Sequence, residues 1–322
     1  MIKNKNILIT GGAGFIGSHL FEKLLVNRNY VVIIDNFNER YYKGKEEYIE
    51  EVRMSNVDFK DFQIINSDLL DNSTYEKIEP EIDIIFHLAA HAGVRFSVQN
   101  KIEVMRNNIL GIVKILDYAV TKNVKKVVNA SSSSVYGNPI YTPVDEEHPK
   151  TPISPYAISK LSSEIYADYY FREYDLPITS LRFYTVYGPR GRPDMAIAKF
   201  FNLIRHNKEL VIYGDGEQLR DFTYVSDIIQ GLILSAEKNN SSGEAFNLGY
   251  SKPINVNELI NKMYNVTNKP KKVVYTEKQK GDVDITHSNI DKAKKLLGFS
   301  PQVNIDEGLQ RTYSWLINKE KV

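Results

Sequence analysis

The chain has 322 residues, 42% of them hydrophobic, enough for one large domain or two with a real core. Its 41 Lys and Arg balance 40 Asp and Glu, and no long run of one sign breaks that balance, which argues against nucleic acid or an anionic membrane as partner. The absence of cysteine excludes disulfides, thiolate metal sites and cysteine nucleophiles, and fits a reducing, cytoplasmic setting.

The first strand starts almost at Met1 and no apolar run of about 18 residues follows it, so neither a signal peptide nor a membrane span is expected. "NILIT", "YVVIID", "FQIIN", "IDIIFHLA" and "KVVNAS" are short, nearly continuous apolar runs, each followed by a stretch of helical spacing. Runs without alternation suit strands buried on both faces. The pattern predicts an α/β fold, a Rossmann-type doubly wound parallel sheet over residues 1–175. Beyond about 175 the chain loosens into a smaller α/β lobe, 176–322, with helices expected at 255–266 and 304–318. Segments near 176–188, including "PITSLRFY", and 220–230 are expected to return strands to the main sheet.

Directly after the first strand, "ILITGGAGFIG" carries Gly12-x-Gly14-x-x-Gly17, and Gly11 adds the spacing G-x-x-G-x-x-G. Glycines there allow a tight turn and close approach of backbone N–H groups to a pyrophosphate, with the helix from Phe15 to Leu25 offering its N-terminus. Asp35 closes the second strand about 20 residues on, where a carboxylate accepts hydrogen bonds from an adenosine ribose diol. It favours NAD over NADP, since a 2′-phosphate would meet its charge. Asp68-Leu69, after the third strand, is a candidate adenine contact. His87 and His91, with no His-x-x-x-His pair and no Cys, read as packing and hydrogen-bonding residues, and no metal is expected.

"NASSSSVYG" leaves the fifth strand at the sheet edge where open α/β sheets bind ligands. "SPYAISK" then sets Tyr156 four residues before Lys160 on one helix face, with Pro155 at the helix start. An ammonium beside the phenol would stabilise a phenolate and fit Tyr156 for acid/base work.

Taken in order, T-G-G-x-G-F-I-G, H-L-A-A, S-S-S-V-Y-G, Y-x-x-x-K and "VIYGDGEQLRDFTYVSD" resemble the extended short-chain dehydrogenase/reductases that act on nucleotide sugars, and the likeness runs over nearly the whole chain. The resemblance implies a catalytic group of Tyr156, Lys160 and Ser132, with Asn108 in support. It implies NAD contacts at Gly11, Gly14, Phe15, Ile16 and Gly17, at Asp35 and Asn36, and at Asp68 and Leu69. Leu88, Ala89, Ala90, Asn108, Ser131 and Phe183, with Tyr156 and Lys160, complete that set. It also implies a UDP-sugar substrate bound by the C-terminal lobe, and a homodimer through helices near 100–122 and 155–174.

Enzymes of this group first oxidise the sugar at C4. In the 4,6-dehydratases the two residues after the catalytic Ser or Thr are Asp and Glu, whereas this chain has Ser133 and Ser134, neither suited to proton transfer at carbon. Elimination is thereby disfavoured and 4-epimerisation remains.

"RFYTVYGPRGRPDMA" and "AAHAGVRFS" most resemble the UDP-glucuronate 4-epimerases. A uronate presents a carboxylate and a diphosphate, and arginine binds either bidentately. Ser133, Ser134 and Thr185 are the candidates for the carboxylate. Arg192 is assigned to the pyrophosphate or, second, the carboxylate. Arg220 is assigned to the pyrophosphate by resemblance, with Tyr213, Gln218, Asp282 and Arg95 completing the substrate set. Arg190 has no assigned role. Gln279 stands two residues before Gly281 where UDP-glucose 4-epimerases usually carry arginine, and small Thr286 leaves room for an N-acetyl group. UDP-glucose, UDP-GlcNAc and its uronate thus stay open as substrates, and a non-catalytic NAD-binding regulator is the remote alternative.

Overall fold

The computed structural model describes residues 2–40, 43–55, 62–278 and 283–319. Six of the predicted strands form: β1 (Asn6–Thr10), β2 (Tyr30–Asp35), β3 (Phe62–Asn66), β4 (Ile84–His87), β5 (Lys126–Ser132) and β6 (Ile178–Phe183). With Glu244–Leu248 they make a seven-stranded sheet in the order Glu244–Leu248, β6, β5, β4, β1, β2, β3, every pair parallel.

The apolar runs are continuous because both faces are covered. Ile7, Ile9, Val31, Ile33 and Phe86 pack on one side with Leu20, Phe21 and Leu24 of α1 (Phe15–Leu25) and Ile228 and Leu232 of the helix Val225–Glu237. Leu8, Val32, Ile85 and Val127 pack on the other against Ile112, Ile115 and Leu116 of the helix Gly111–Thr121. The period-2 alternation sends successive side chains into different cores, and each core is apolar.

The strand expected at about 220–230 does not join this sheet. Phe222–Tyr224 pairs with Thr185–Tyr187 in a separate two-stranded sheet, and Val225–Glu237 is helix. The seventh place goes to Glu244–Leu248, because the helix 225–237 crosses the apolar face and delivers the chain beside β6. Small two-stranded sheets, Leu210–Tyr213 with Val273–Thr276 and Leu219–Arg220 with Ile254–Asn255, build the C-terminal lobe. Its expected helices are Val256–Thr267 and Ile305–Lys319.

Candidate active site

The C-terminal ends of the strands surround a cavity of about 480 Å³, within the range of small-molecule sites. Gly11, at φ +71°, turns the chain out of β1, and a Cβ there would lie 2.8 Å from the Ala89 backbone. A side chain at Gly17 would collide with the Gly11 carbonyl. No side chain caps the N-terminus of α1, so its N–H groups and dipole face the cavity where a diphosphate needs them.

Asp35 accepts hydrogen bonds from the Ala13 N–H at 3.1 Å and the Phe37 N–H at 2.9 Å, and pairs with Lys45 at 3.4 Å. A carboxylate has about four acceptor positions, so capacity for a ribose diol is left. These features fit NAD. Lys45, on α2 (Lys45–Ser55), is a wall residue that sequence reasoning missed, since nothing in "KGKEEY" separates it from a solvated lysine. Phe15, Ile16, Asn36, Leu69, Leu88, Ala90 and Phe183 also line the cavity. Asp68 does too, although one of its oxygens accepts from the Leu70 N–H at 2.9 Å.

Asn108 is the exception among the expected cofactor contacts. It is buried behind the wall on a π-helical turn, Arg106–Leu110, a feature frequent at functional sites. It accepts from the His91 N–H at 2.7 Å, donates to the His91 carbonyl at 3.1 Å and donates to Ser159 Oγ at 2.9 Å. It therefore ties the loop after β4 to the helix that carries Tyr156. His87 hydrogen-bonds Thr10 Oγ1 at 2.8 Å through Nδ1.

That helix, Pro155–Tyr174, starts at Ser154, whose hydroxyl caps the Ala157 N–H at 3.1 Å, with Pro155 in its first turn. Three of its side chains, one turn apart, each take a residue at the end of β5. Tyr156 is set beside Ser132, Lys160 Nζ donates to the Ala130 carbonyl at 2.6 Å, and Glu164 accepts from Ser131 Oγ. Glu164 in turn forms a bidentate buried pair with Arg182 of β6, at 3.0 and 2.8 Å. Glu164 and Arg182 were missed from sequence, though the spacing Tyr156, Lys160, Glu164 is one helix stripe.

Lys160 and Tyr156 line the same cavity and each has further partners. Burial raises the Tyr156 phenol, and the groups that oppose it are Ser132, through its hydrogen bond, and then Arg192, through its charge. Lys160 is turned onto Ala130, and burial pushes its ammonium down to about 8 against the pull of Glu164. Ser132 accepts from the N–H and hydroxyl of Ser134, at 3.2 and 2.9 Å. The Ser134 and Ser132 hydroxyls thus lie together beside the Tyr156 phenol, where Ser132 favours the phenolate.

Lysines whose folded pKa is lowered leave the folded state with fewer protons than the unfolded one between about pH 8 and pH 10. Lys160 and buried Lys126 both do so, so conformational stability is expected to rise with pH from about 8 to 9, before the buried tyrosines, whose phenols are raised in the folded state, oppose it near pH 10. Turnover is expected to fall over the same rise in pH, as Lys160 loses its charge. Urea unfolding and a kcat/KM profile from pH 7 to 10 check the opposite signs.

Ser133, Thr185 and Arg192 line the same cavity, and Arg192 is held bidentately by Asp194 at 3.0 and 2.6 Å. Arg95, Tyr213, Gln218 and Arg220 lie outside its wall, on the lobe side. Arg95 stacks 5.3 Å over Tyr213, Gln218 donates to the Tyr213 carbonyl at 3.2 Å, and Arg220 donates to the Leu219 carbonyl at 2.8 Å. Asp282 and Gln279 lie outside the described residues. Thr286 Oγ1 accepts from the Asp221 N–H at 3.0 Å.

The GDP-mannose 4,6 dehydratase family model matches residues 8–312. A UDP-glucuronate 4-epimerase of Thermodesulfobacterium geofontis is 38% identical over 325 residues, spanning 98% of this chain and 96% of the relative. The crystal structure of a Bacillus cereus UDP-glucuronic acid 4-epimerase with UDP-glucuronic acid and NAD has a TM-score of 0.90 at 34% identity, covering 98% of this chain and 99% of that one. A UDP-N-acetylglucosamine 4-epimerase from Methanobrevibacter ruminantium in complex with UDP-N-acetylmuramic acid has a TM-score of 0.91 at 35% identity, covering 99% of this chain and 100% of that one. The chain belongs to the GDP-mannose 4,6 dehydratase family, within the extended short-chain dehydrogenase/reductases that its motifs resemble.

Proposed function

We propose that the protein is an NAD-dependent UDP-sugar 4-epimerase whose preferred substrate is UDP-glucuronate, interconverted with UDP-galacturonate. The observation that carries this reading is the run of hydroxyls at the cavity end: Ser132 lies beside Tyr156, and the residues next to it in the chain are hydroxyls where dehydratases hold acids. Relatives named UDP-glucuronate 4-epimerase support the same choice.

NAD, when bound, accepts the C4 hydride and gives it back. Gly11, Gly14 and Gly17 would accommodate its diphosphate, and Asp35 its adenosine ribose. Tyr156 takes the O4 proton as its phenolate and returns it at the end of the cycle, while Ser132 hydrogen-bonds O4. Lys160 keeps a positive charge in the site while it holds its proton. After oxidation the 4-keto sugar turns over, and its other face receives the hydride, so no net redox change results. Ser133, Ser134 and Thr185 hold the C6 carboxylate, and Arg192 the pyrophosphate.

A 4-keto uronate is a β-keto acid, so carboxylate grip decides between epimerisation and loss of carbon dioxide. Ser134→Glu sets a charge against the carboxylate. It is expected to raise KM for UDP-glucuronate about tenfold or more and to release UDP-pentose. Unchanged KM and unchanged pentose release would remove the carboxylate from Ser134. Incubation with UDP-glucuronate, UDP-glucose and UDP-GlcNAc separately, read by NMR, tests the substrate. Turnover of UDP-glucose alone overturns the uronate reading.

Exposed Ile102, Met105 and Leu110 on one helix and Ile158, Ile165 and Tyr169 on another support a homodimer through these faces, which analytical ultracentrifugation checks. The cysteine-free composition suits a cytoplasmic setting.

A further inference from the structure

Arg190 stands two residues from Arg192 and, like it, borders the cavity, yet its guanidinium is turned onto α1 and α2. Its backbone is left-handed at φ +59°, an unfavourable conformation for a residue with a Cβ, which persists only where surrounding contacts hold it. The turn around it is tight: the Gly191 N–H donates to the Gly188 carbonyl at 3.2 Å, and a Cβ at Gly191 would lie 2.8 Å from that oxygen.

Only 7% exposed, the Arg190 side chain leaves the substrate lobe for the dinucleotide domain. Its Nη1 donates to Glu22 Oε2 at 2.8 Å, on α1, and its Nε to Glu51 Oε2 at 3.0 Å, on α2. Beside it, His19 Nε2 of α1 donates to the Pro189 carbonyl at 2.9 Å. Burial first, then the Arg190 charge, keeps that imidazole neutral and so available for this bond. The helices gripped are those that form the cofactor end: α1 turns its N-terminus to the cavity, and α2 supplies Lys45 to Asp35.

From these contacts we infer that Arg190 is a positioning residue: it pins the 188–195 loop to α1 and α2 so that Arg192 meets the substrate's anionic groups. A fork bonded by two carboxylates on two helices fixes the direction as well as the distance of the loop. The left-handed residue then sends the next arginine back to the cavity wall. The Arg190 guanidinium itself is taken up by Glu22 and Glu51. The loop is therefore set by the same helices that hold the cofactor, and the two binding regions share one frame.

The inference rests on the UDP-sugar reading of the cavity, and its test separates the two. Arg190→Met and Arg190→Lys are assayed for kcat, KM and retained NAD, and titrated calorimetrically with UDP-glucuronate and with UDP. Arg190→Met is expected to raise KM and both dissociation constants about tenfold or more, since small misplacements of binding groups are costly. Retained NAD and kcat are expected to stay within about twofold. Arg190→Lys, keeping the charge without the fork, is expected to recover part of the loss. A lower unfolding temperature with unchanged KM and unchanged UDP affinity would overturn the inference and leave Arg190 a purely structural tie. Should Arg190→Met fail to fold, Glu22→Gln combined with Glu51→Gln removes the anchors and must give the same KM shift. If the wild type binds UDP yet turns over no UDP-sugar, the functional reading fails, while UDP affinity in the variants still decides the role of Arg190.

Discussion

Tyr156→Phe is expected to lower kcat about a hundred- to ten-thousandfold, with UDP-sugar and NAD binding retained. The phenol lies beside Ser132 at the cavity end, and phenylalanine keeps the ring while removing the atom that carries the proton. Two opposing influences set how well tyrosine works there. Burial holds the phenol protonated, and the hydrogen bond from Ser132 followed by the charge of Arg192 favours the phenolate. Ser132→Ala should therefore reduce kcat and move its acid limb to higher pH. Single-turnover formation of NADH with UDP-glucuronate reads the proton-coupled step directly. A Tyr156→Phe enzyme with wild-type turnover would remove Tyr156 from the mechanism.

The largest stability effect is expected at Glu164→Gln, which strips the buried Arg182 guanidinium of its counter-charge and should cost about 3–5 kcal/mol. Both partners are nearly inaccessible, with side chains 3% and 9% exposed. Arg182 also donates to Tyr136 at 2.7 Å, which in turn donates to Asn247 at 2.7 Å, so the disturbance reaches across to the strand at the far edge of the sheet. Combining Glu164→Gln with Arg182→Met removes the unpaired charge and should return part of the loss. Urea titrations of the three chains measure it, and equal stability of the single and double variants would contradict the account. Because the Glu164 charge supports the Lys160 ammonium, the surviving Glu164→Gln enzyme should also lose activity at a lower pH than wild type.

The legible parts of the site are those whose chemistry is local in the chain. Gly11, Gly14 and Gly17 sit in one turn, and Asp35 ends the next strand. Tyr156 and Lys160 share one helix stripe, so spacing alone brings them near. Ser132 needed one further fact, that strand ends on one edge of a parallel sheet face a common cavity. The misread parts are long-range. The expected strand near 220–230 failed because a short apolar run does not say which sheet it will join, and Phe222–Tyr224 found Thr185–Tyr187 instead. The bond from Lys160 to the Ala130 carbonyl was not legible either, since a buried ammonium takes whichever carbonyl the packing brings within reach.

By itself the sequence determined the α/β class, the glycine turn after the first strand, the tyrosine and lysine on one helix stripe, the serine at a strand end, and the hydroxyls that take the place of acids. Each follows from residues close in the chain or from periodicity, which local backbone geometry converts directly into position. Only the tertiary structure decided which partners Arg190, Asn108, Glu164 and Lys45 take. Arg190 meets Glu51 and Glu22 across 139 and 168 residues, and Asn108 meets Ser159 across 51. Such partners are chosen by how helices pack on the sheet, and burial then makes each charge take the counter-charge within reach.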